Sequence, residues 1–205
     1  MKSKLLIIGA SGHGKVVADI AIKMNKWQSI AFLDDDKSLR SSMGLEVIGT
    51  SDDVFTHIDD YDIFVGIGNN DTRKRIHEVL ETVGASIPIL IHPNAIIGNQ
   101  VEIGDGTAVM AGTVVNCCTK IGKSCIVNTG STIDHDNCIG NFVHISPGAH
   151  LAGSVKVGQG SWLGIGSVVS NNIAITNGCI VGAGSVVVKD ISKPGIYVGI
   201  PVRRV

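Results

Sequence analysis

An apolar residue recurs at every sixth position from Ile91 to Val187, through Ile97, Ile103, Val109 and Val115 and on to Ile175 and Val181, and each is Ile, Val or Leu. Four residues after each stands a mostly small or β-branched one, as at Thr107, Thr113, Cys125, Ala149, Ser161, Ser185 and Ile191, with Asn137 as the polar misfit. An amphipathic helix spaces its apolar residues three and four apart, and a half-buried strand two apart. A period of six instead predicts a parallel β-helix. Each hexad is one short strand and one turn, and three hexads close a triangular coil. Residues eighteen apart then lie on neighbouring coils, about 4.8 Å apart. The residues opening the hexads point inward, and each coil buries its core against its neighbours.

Before the repeat, apolar runs alternate with helical periodicity. Leu5–Gly9 reads as a strand, the segment from Gly9 to Gly14 as a tight turn, and Lys15–Met24 as a helix with Val16, Val17, Ile20 and Ala21 on one face. Ser29–Leu33, Glu46–Ile48 and Asp62–Ile67 read as further strands, and Thr72–Val83 as an amphipathic helix. Alternating strands and helices predict a parallel, Rossmann-like sheet. The expected division is an α/β domain over residues 1–88 and an all-β domain over 89–205, with Pro88 and Pro93 near the junction.

Charge and cysteine content narrow the function. Seventeen Lys and Arg against 18 Asp and Glu leave a net charge of −1, so nothing favours nucleic acid or an anionic membrane. No apolar stretch is long enough to span a bilayer, and no secretory leader is expected from the first residues. Five cysteines without paired spacing point to a reduced, cytoplasmic protein.

Two places carry candidate chemistry. A strand, a glycine turn and a helix N-terminus form an anion site, because free N–H groups and the helix dipole face the turn. The spacing of Gly9, Gly12 and Gly14 differs from the dinucleotide fingerprint, which argues for a mononucleotide or diphosphate group over NAD. Asp34 and Asp35 stand where an acidic ribose ligand is expected. In the repeat, His135 lies at a corner between Asp134 and Asp136; a carboxylate beside an imidazole raises its basicity, as a general base requires. The bland alternative is a solvated polar corner. Trp162 lies eighteen residues after His144 and should stack on it, whereas His150 reads as a surface residue. Cys117 and Cys118 lie eighteen before His135 and Asp136, yet the ligand spacings of a zinc site are missing, and no metal is expected.

Several motifs, in order, give the chain a family resemblance. They are GASGHG at Gly9–Gly14, FLDD at Phe32–Asp35, IGNN at Ile67–Asn70, NTGSTIDHD at Asn128–Asp136, FVHIS around His144, and VGIP at Val198–Pro201. The chain resembles the hexapeptide-repeat sugar O- and N-acyltransferases of the sialic-acid O-acetyltransferase type, most nearly the bacterial UDP-4-amino-sugar N-acetyltransferases of bacillosamine biosynthesis. The resemblance implies a left-handed β-helix, acetyl-CoA as co-substrate and a homotrimer with active sites shared between subunits. It implies His135 as general base, with Asp136 raising its basicity where the bacillosamine enzymes have Glu. It places His144, Ile165 and Ala183 in the acetyl-CoA cleft, Ala183 standing where those enzymes have Gly. It assigns Ser11, Gly12, His13, Asp34, Asp35 and Gly68 to a nucleotide-linked amino sugar, with Asn128 near the sugar. An O-acetyltransferase of sialic acid or another sugar hydroxyl is the second reading, and a non-enzymatic or metal-binding β-helix trimer the third.

Overall fold

Two units, Met1–Pro93 and Asn94–Val205, make up the chain in the computed structural model, which describes residues 2–205. In the first, β1 (Lys4–Ile8) is central. Its run Leu5–Ile8 has no polar alternation and is wholly buried, as a strand covered on both faces must be. It pairs in parallel with β2 (Ser29–Leu33) and with a strand at Tyr61–Val65. Beyond β2 lie β3 (Ser41–Ser42) and β4 (Leu45–Gly49), an antiparallel hairpin turned through Met43 and Gly44, both at positive φ. With Tyr61–Val65 as β5, the sheet order is β3-β4-β2-β1-β5. Leu6, Ile8, Leu33, Ile63, Val65 and Leu80 form its core.

Helix α1 covers Gly12–Met24 and so begins three residues before the expected Lys15. The amide of Lys15 already donates to the Ser11 carbonyl at 2.9 Å, so Gly12 and Gly14 belong to the first helical turn. Gly14 must be glycine for a packing reason: a Cβ there would lie 1.8 Å from the Gly9 carbonyl oxygen. Strand β5 ends at Val65, short of the expected Ile67. Beyond it the carbonyls of Ile67 and Gly68 accept from the Arg73 guanidinium at 3.2 and 2.9 Å. Helix α2 (Asn70–Thr82) follows, capped by the Asn69 side chain, which accepts from the Thr72 amide at 2.9 Å.

The second unit is a parallel β-helix of three faces. The first face carries Ala108–Val109, Ile126–Val127, His144–Ile145, Trp162–Leu163 and Cys179–Val181. The second runs from Ile96–Ile97 through Thr132–Ile133 to Val186–Val187, and the third from Glu102–Ile103 through Cys138–Ile139 to Ala174–Ile175. Register advances by eighteen residues per coil, as Val114 opposite Thr132 and Ile126 opposite His144 show. The hexad openers from Val109 to Val187 are buried, while Ile97 and Ile103, in the first coil, have neighbours on one side only and stay half-buried. The last coil is shorter than the repeat predicts. Ile191 bridges Ile175 sixteen residues away, not eighteen, so it takes the place of an opener instead of the position four residues later. The Asp190 carboxylate accepts from the Ala174 amide at 2.9 Å and helps close this shortened turn.

Candidate active site

The corner between the second and third faces presents His135, half-exposed, with its Nδ1 2.7 Å from Asp136 Oδ2. Asp136 reaches it from a left-handed backbone (φ 58°). The Asp136 bond, and then the charge of Asp134, raise the His135 pKa above its ordinary 6.5. Asp134 is itself tied down: it accepts from Asn116 Nδ2 at 2.8 Å and from the His135 amide at 2.9 Å, and both bonds lower its pKa. With Nδ1 engaged by a carboxylate, Nε2 is the nitrogen left to exchange protons with a substrate.

One coil earlier, Cys117 and Cys118 occupy the same corner as free, exposed thiols. Partial desolvation by its neighbours, then Cys117 and the Asp136 charge, raise the Cys118 pKa, which keeps it a thiol at neutral pH and makes it a poor nucleophile. Among the described residues no group of three His, Cys, Asp or Glu is arranged to hold a metal.

The other residues expected in the acetyl-CoA cleft lie elsewhere, on the first face and its corner into the second. His144 and Trp162 stack with centroids 5.2 Å apart and planes 7° from parallel. Trp162 Nε1 donates to Ser146 Oγ at 2.7 Å, and Asn128 Nδ2 lies 3.2 Å from His144 Nε2. Beside the stack an apolar cavity of about 240 Å³ is lined by Trp162, Gly164, Ile165, Ile180 and Ala183. Ile165 and Ala183 therefore line it directly, whereas His144 lies behind Trp162. Sequence reasoning paired Trp162 with His144 but did not place the indole in the cavity wall. This groove opens at the corner between the first and second faces, whereas His135 stands at the corner between the second and third.

In the first unit a cavity of about 570 Å³ opens beside the start of α1, lined by Ala10, Ser11, Lys15, Asp34, Ser41 and Ser42 among others. Ser11 makes no side-chain capping bond, so its hydroxyl is uncommitted to the helix. A Cβ at Gly12 or at Gly68 would meet nothing within 4 Å. Asp34 shapes the turn: Oδ2 accepts from the Ala10 amide at 2.7 Å and Oδ1 from the Asp36 amide at 3.0 Å. Asp35 points away from Asp34's cavity. Its carboxylate accepts from the Ser51 amide at 2.9 Å and borders a second cavity of about 200 Å³ with Phe55, Ile67, Thr72 and Arg75.

His13 is held neutral. Burial, and the Arg73 charge after it, push its pKa down to about 4, and its Nε2 is buried without a hydrogen-bond partner among the described residues. Arg73 itself is wholly buried and was not singled out from the sequence. The signal was present: Arg73, His77 and Leu80 share the buried face of α2 at helical spacing.

Residues 4–80 match the PglD N-terminal domain family. The acetyltransferase domain of PglB from Neisseria gonorrhoeae superposes with a TM-score of 0.97 at 39% identity, over 100% of both chains, and has also been solved in complex with acetyl coenzyme A. The chain belongs to the PglD-type sugar acyltransferase family. Another family member, PerB from Caulobacter crescentus, in complex with CoA and GDP-perosamine, matches with a TM-score of 0.93 at 34% identity, over 98% of this chain and 97% of that one. UDP-N-acetylbacillosamine N-acetyltransferase of Bacillus subtilis is 37% identical over 109 residues, 51% of this chain. That match spans about half the length of the curated relative. Among the described residues, no helix is long and apolar enough to cross a membrane.

Proposed function

We propose that the protein transfers the acetyl group of acetyl-CoA to the amine of a nucleotide-linked amino sugar, of the UDP-4-amino-4,6-dideoxy-sugar type. The observation that carries this reading is the pairing of a carboxylate-supported, exposed imidazole with an apolar groove walled by stacked aromatics. The groove suits the pantetheine arm, and Ile165 and Ala183 flank it, with His144 bracing Trp162. In the first unit, Ser11, Gly12 and the amides opening α1 hold the diphosphate, with His13 and Gly68 as its neighbours. Asp34, which shares the cavity of Ser11, serves the nucleoside, and Asn128 the sugar; Asp35, turned to the neighbouring cavity, shapes the loop through the Ser51 amide. The family likeness to enzymes named for amino-sugar N-acetylation favours an amine over a hydroxyl acceptor.

The sugar arrives as an ammonium, and His135 Nε2 takes one of its protons, freeing the lone pair with which the amine nitrogen attacks the thioester carbonyl. Asp136 holds the ring in the tautomer that leaves Nε2 free, and stabilises the imidazolium that forms. Backbone N–H groups along the coil edge hold the oxyanion. As the tetrahedral intermediate collapses the C–S bond breaks, the nitrogen sheds its second proton to the departing sulfur, and CoA leaves as a thiol, with the first proton held on His135. No covalent enzyme intermediate is needed, since holding both reactants together supplies much of the rate.

Because His135 and the groove stand at different corners of the coil, we read the active unit as a homotrimer in which the base of one subunit serves the groove of the next. Five free cysteines fit a reducing, cytoplasmic setting. The test is CoA release from acetyl-CoA against a panel of UDP-linked 4-amino sugars, GDP-perosamine and free sialic acid, with His135→Ala alongside. Turnover of an amino sugar, lost in the variant, supports the reading. Turnover of sialic acid alone moves the acceptor to a hydroxyl, and full activity of His135→Ala rejects the base.

A further inference from the structure

Asn137 interrupts the ladder of small core residues, and it does so directly beneath the corner that carries His135. The ladder residues share one recurring bond, from the side chain at position i to the carbonyl at i+15. Thr107 makes it to Gly122 at 2.8 Å, Thr119 to Asp134 at 2.8 Å, and Ser161 to Thr176 at 3.1 Å. Asn137 makes the same bond, to the Ala152 carbonyl at 3.0 Å, and then adds two within its own corner. Its Nδ2 donates to the carbonyls of Asp134 at 2.7 Å and His135 at 3.2 Å. Three carbonyls around one nitrogen also fix which end of the amide is which. The arrangement has a cost. Asn137 is buried, and its Oδ1 has no hydrogen-bond partner among the described residues, a burden that Thr or Val at this position avoids.

Gly153 completes the corner from the next coil. The His135 ring lies over its Cα: a Cβ at Gly153 would stand 2.7 Å from both Cε1 and Nε2. The backbone of Gly153 is not left-handed, so the need for glycine comes from the ring above it. The Ser154 amide then donates to the His135 carbonyl at 3.0 Å, joining the two coils at this point.

We infer that Asn137 and Gly153 are positioning residues for His135: the amide clamps the turn from below and the bare Cα leaves the floor on which the imidazole lies beside Asp136. The inference rests on the reading of His135 as general base. The Asn137 side chain is buried and Gly153 has none, so neither acts on the reaction through a side chain of its own. Their effect passes through the aim of Nε2 and the Nδ1–Asp136 bond, and a local rule broken in the core at the expense of packing is the expected mark of such a role. Thr at position 137 retains the bond to Ala152, as in the neighbouring coils, and loses the two bonds to the turn. The coil should therefore survive the change while the corner loosens.

The test uses the full chain carrying Asn137→Thr, with [13Cε1]-histidine NMR to titrate His135, and acetyl-CoA plus the UDP-4-amino sugar that wild type turns over. The expected result is a Tm at or above wild type, unchanged acetyl-CoA affinity, a His135 titration moved back toward 6.5, and kcat/KM lower by about ten- to a hundredfold through kcat. A folded variant with wild-type His135 titration and wild-type kcat overturns the inference. Should Asn137→Thr fail to fold, Gly153→Ala decides. Its methyl displaces the ring without touching the Asn137 amide, and an unmoved His135 titration there is equally fatal. Loss of activity in His135→Ala with folded, fully active Asn137→Thr and Gly153→Ala removes this inference alone. Full activity in His135→Ala removes the base reading, and the positioning role of both residues with it.

Discussion

The imidazole of His144 lies flat against the indole of Trp162, 5.2 Å between centroids and within 7° of parallel, on adjacent strands of one face. The stack and the bond from Trp162 to Ser146 leave the indole little freedom, so one wall of the groove is set before any ligand arrives. Trp162→Ala removes that wall and should weaken acetyl-CoA binding by about tenfold, the worth of an aromatic contact plus its area. Calorimetric titration with acetyl-CoA measures it; an unchanged Kd would place the pantetheine arm elsewhere.

If base and groove come from different subunits, two inactive proteins should rescue each other. Chains carrying His135→Ala have an intact groove, and chains carrying Ala183→Trp, which fills it, have an intact base. Refolded together at equal amounts they should regain about a quarter of wild-type activity, the share of random trimer interfaces with one intact base facing one intact groove. No recovery in mixed trimers, verified by mass, would place both halves of the site in one chain.

The acid limb of kcat/KM should follow His135. Its pKa is raised chiefly by the Asp136 bond, and the base must be unprotonated, so activity should fall as pH drops through a midpoint above 6.5. Asp136→Asn removes that bond's charge. The midpoint should move to lower pH, while the plateau falls because a weaker base accepts the proton. A pH–rate profile whose midpoint stays put in Asp136→Asn would assign the limb to another group.

Two glycines of the same turn should behave oppositely. Gly14→Ala forces a methyl to 1.8 Å from the Gly9 carbonyl and should destabilise the first unit by several kcal/mol, about 3 or more, seen as a lost or lowered unfolding transition. Gly12→Ala meets nothing and should fold normally, yet bind UDP more weakly because the methyl stands where a phosphate approaches the helix start. Equal UDP affinity in Gly12→Ala would move the nucleotide off this turn.

Much of the coil unit was legible in the chain. A strict six-residue period leaves one economical way to bury Ile, Val and Leu, and the eighteen-residue stacking of His144 on Trp162 follows from it. The unbroken apolar run of β1 and the glycines after it likewise announce a buried strand feeding a helix. Where α1 begins was less legible, because the sequence presents Gly12–Gly14 as a turn while the Lys15 amide already closes a helical bond on Ser11. The shortened last coil also escaped the period, since a side chain, Asp190, supplies a bond that the repeat assigns to backbone.

The sequence by itself determined the repeat, its register and the residue types at each corner, because periodic burial of apolar side chains acts locally and along the chain. Only the tertiary structure decided how those residues meet. It turned Asn137 inward as a clamp, set Gly153 under the His135 ring, sent Asp34 and Asp35 to different cavities, and buried Arg73 beside His13. Each of these depends on distances between segments remote in the chain, and a side chain's hydrogen-bond partners are chosen by which backbone groups the folded coil or sheet leaves within about 3 Å.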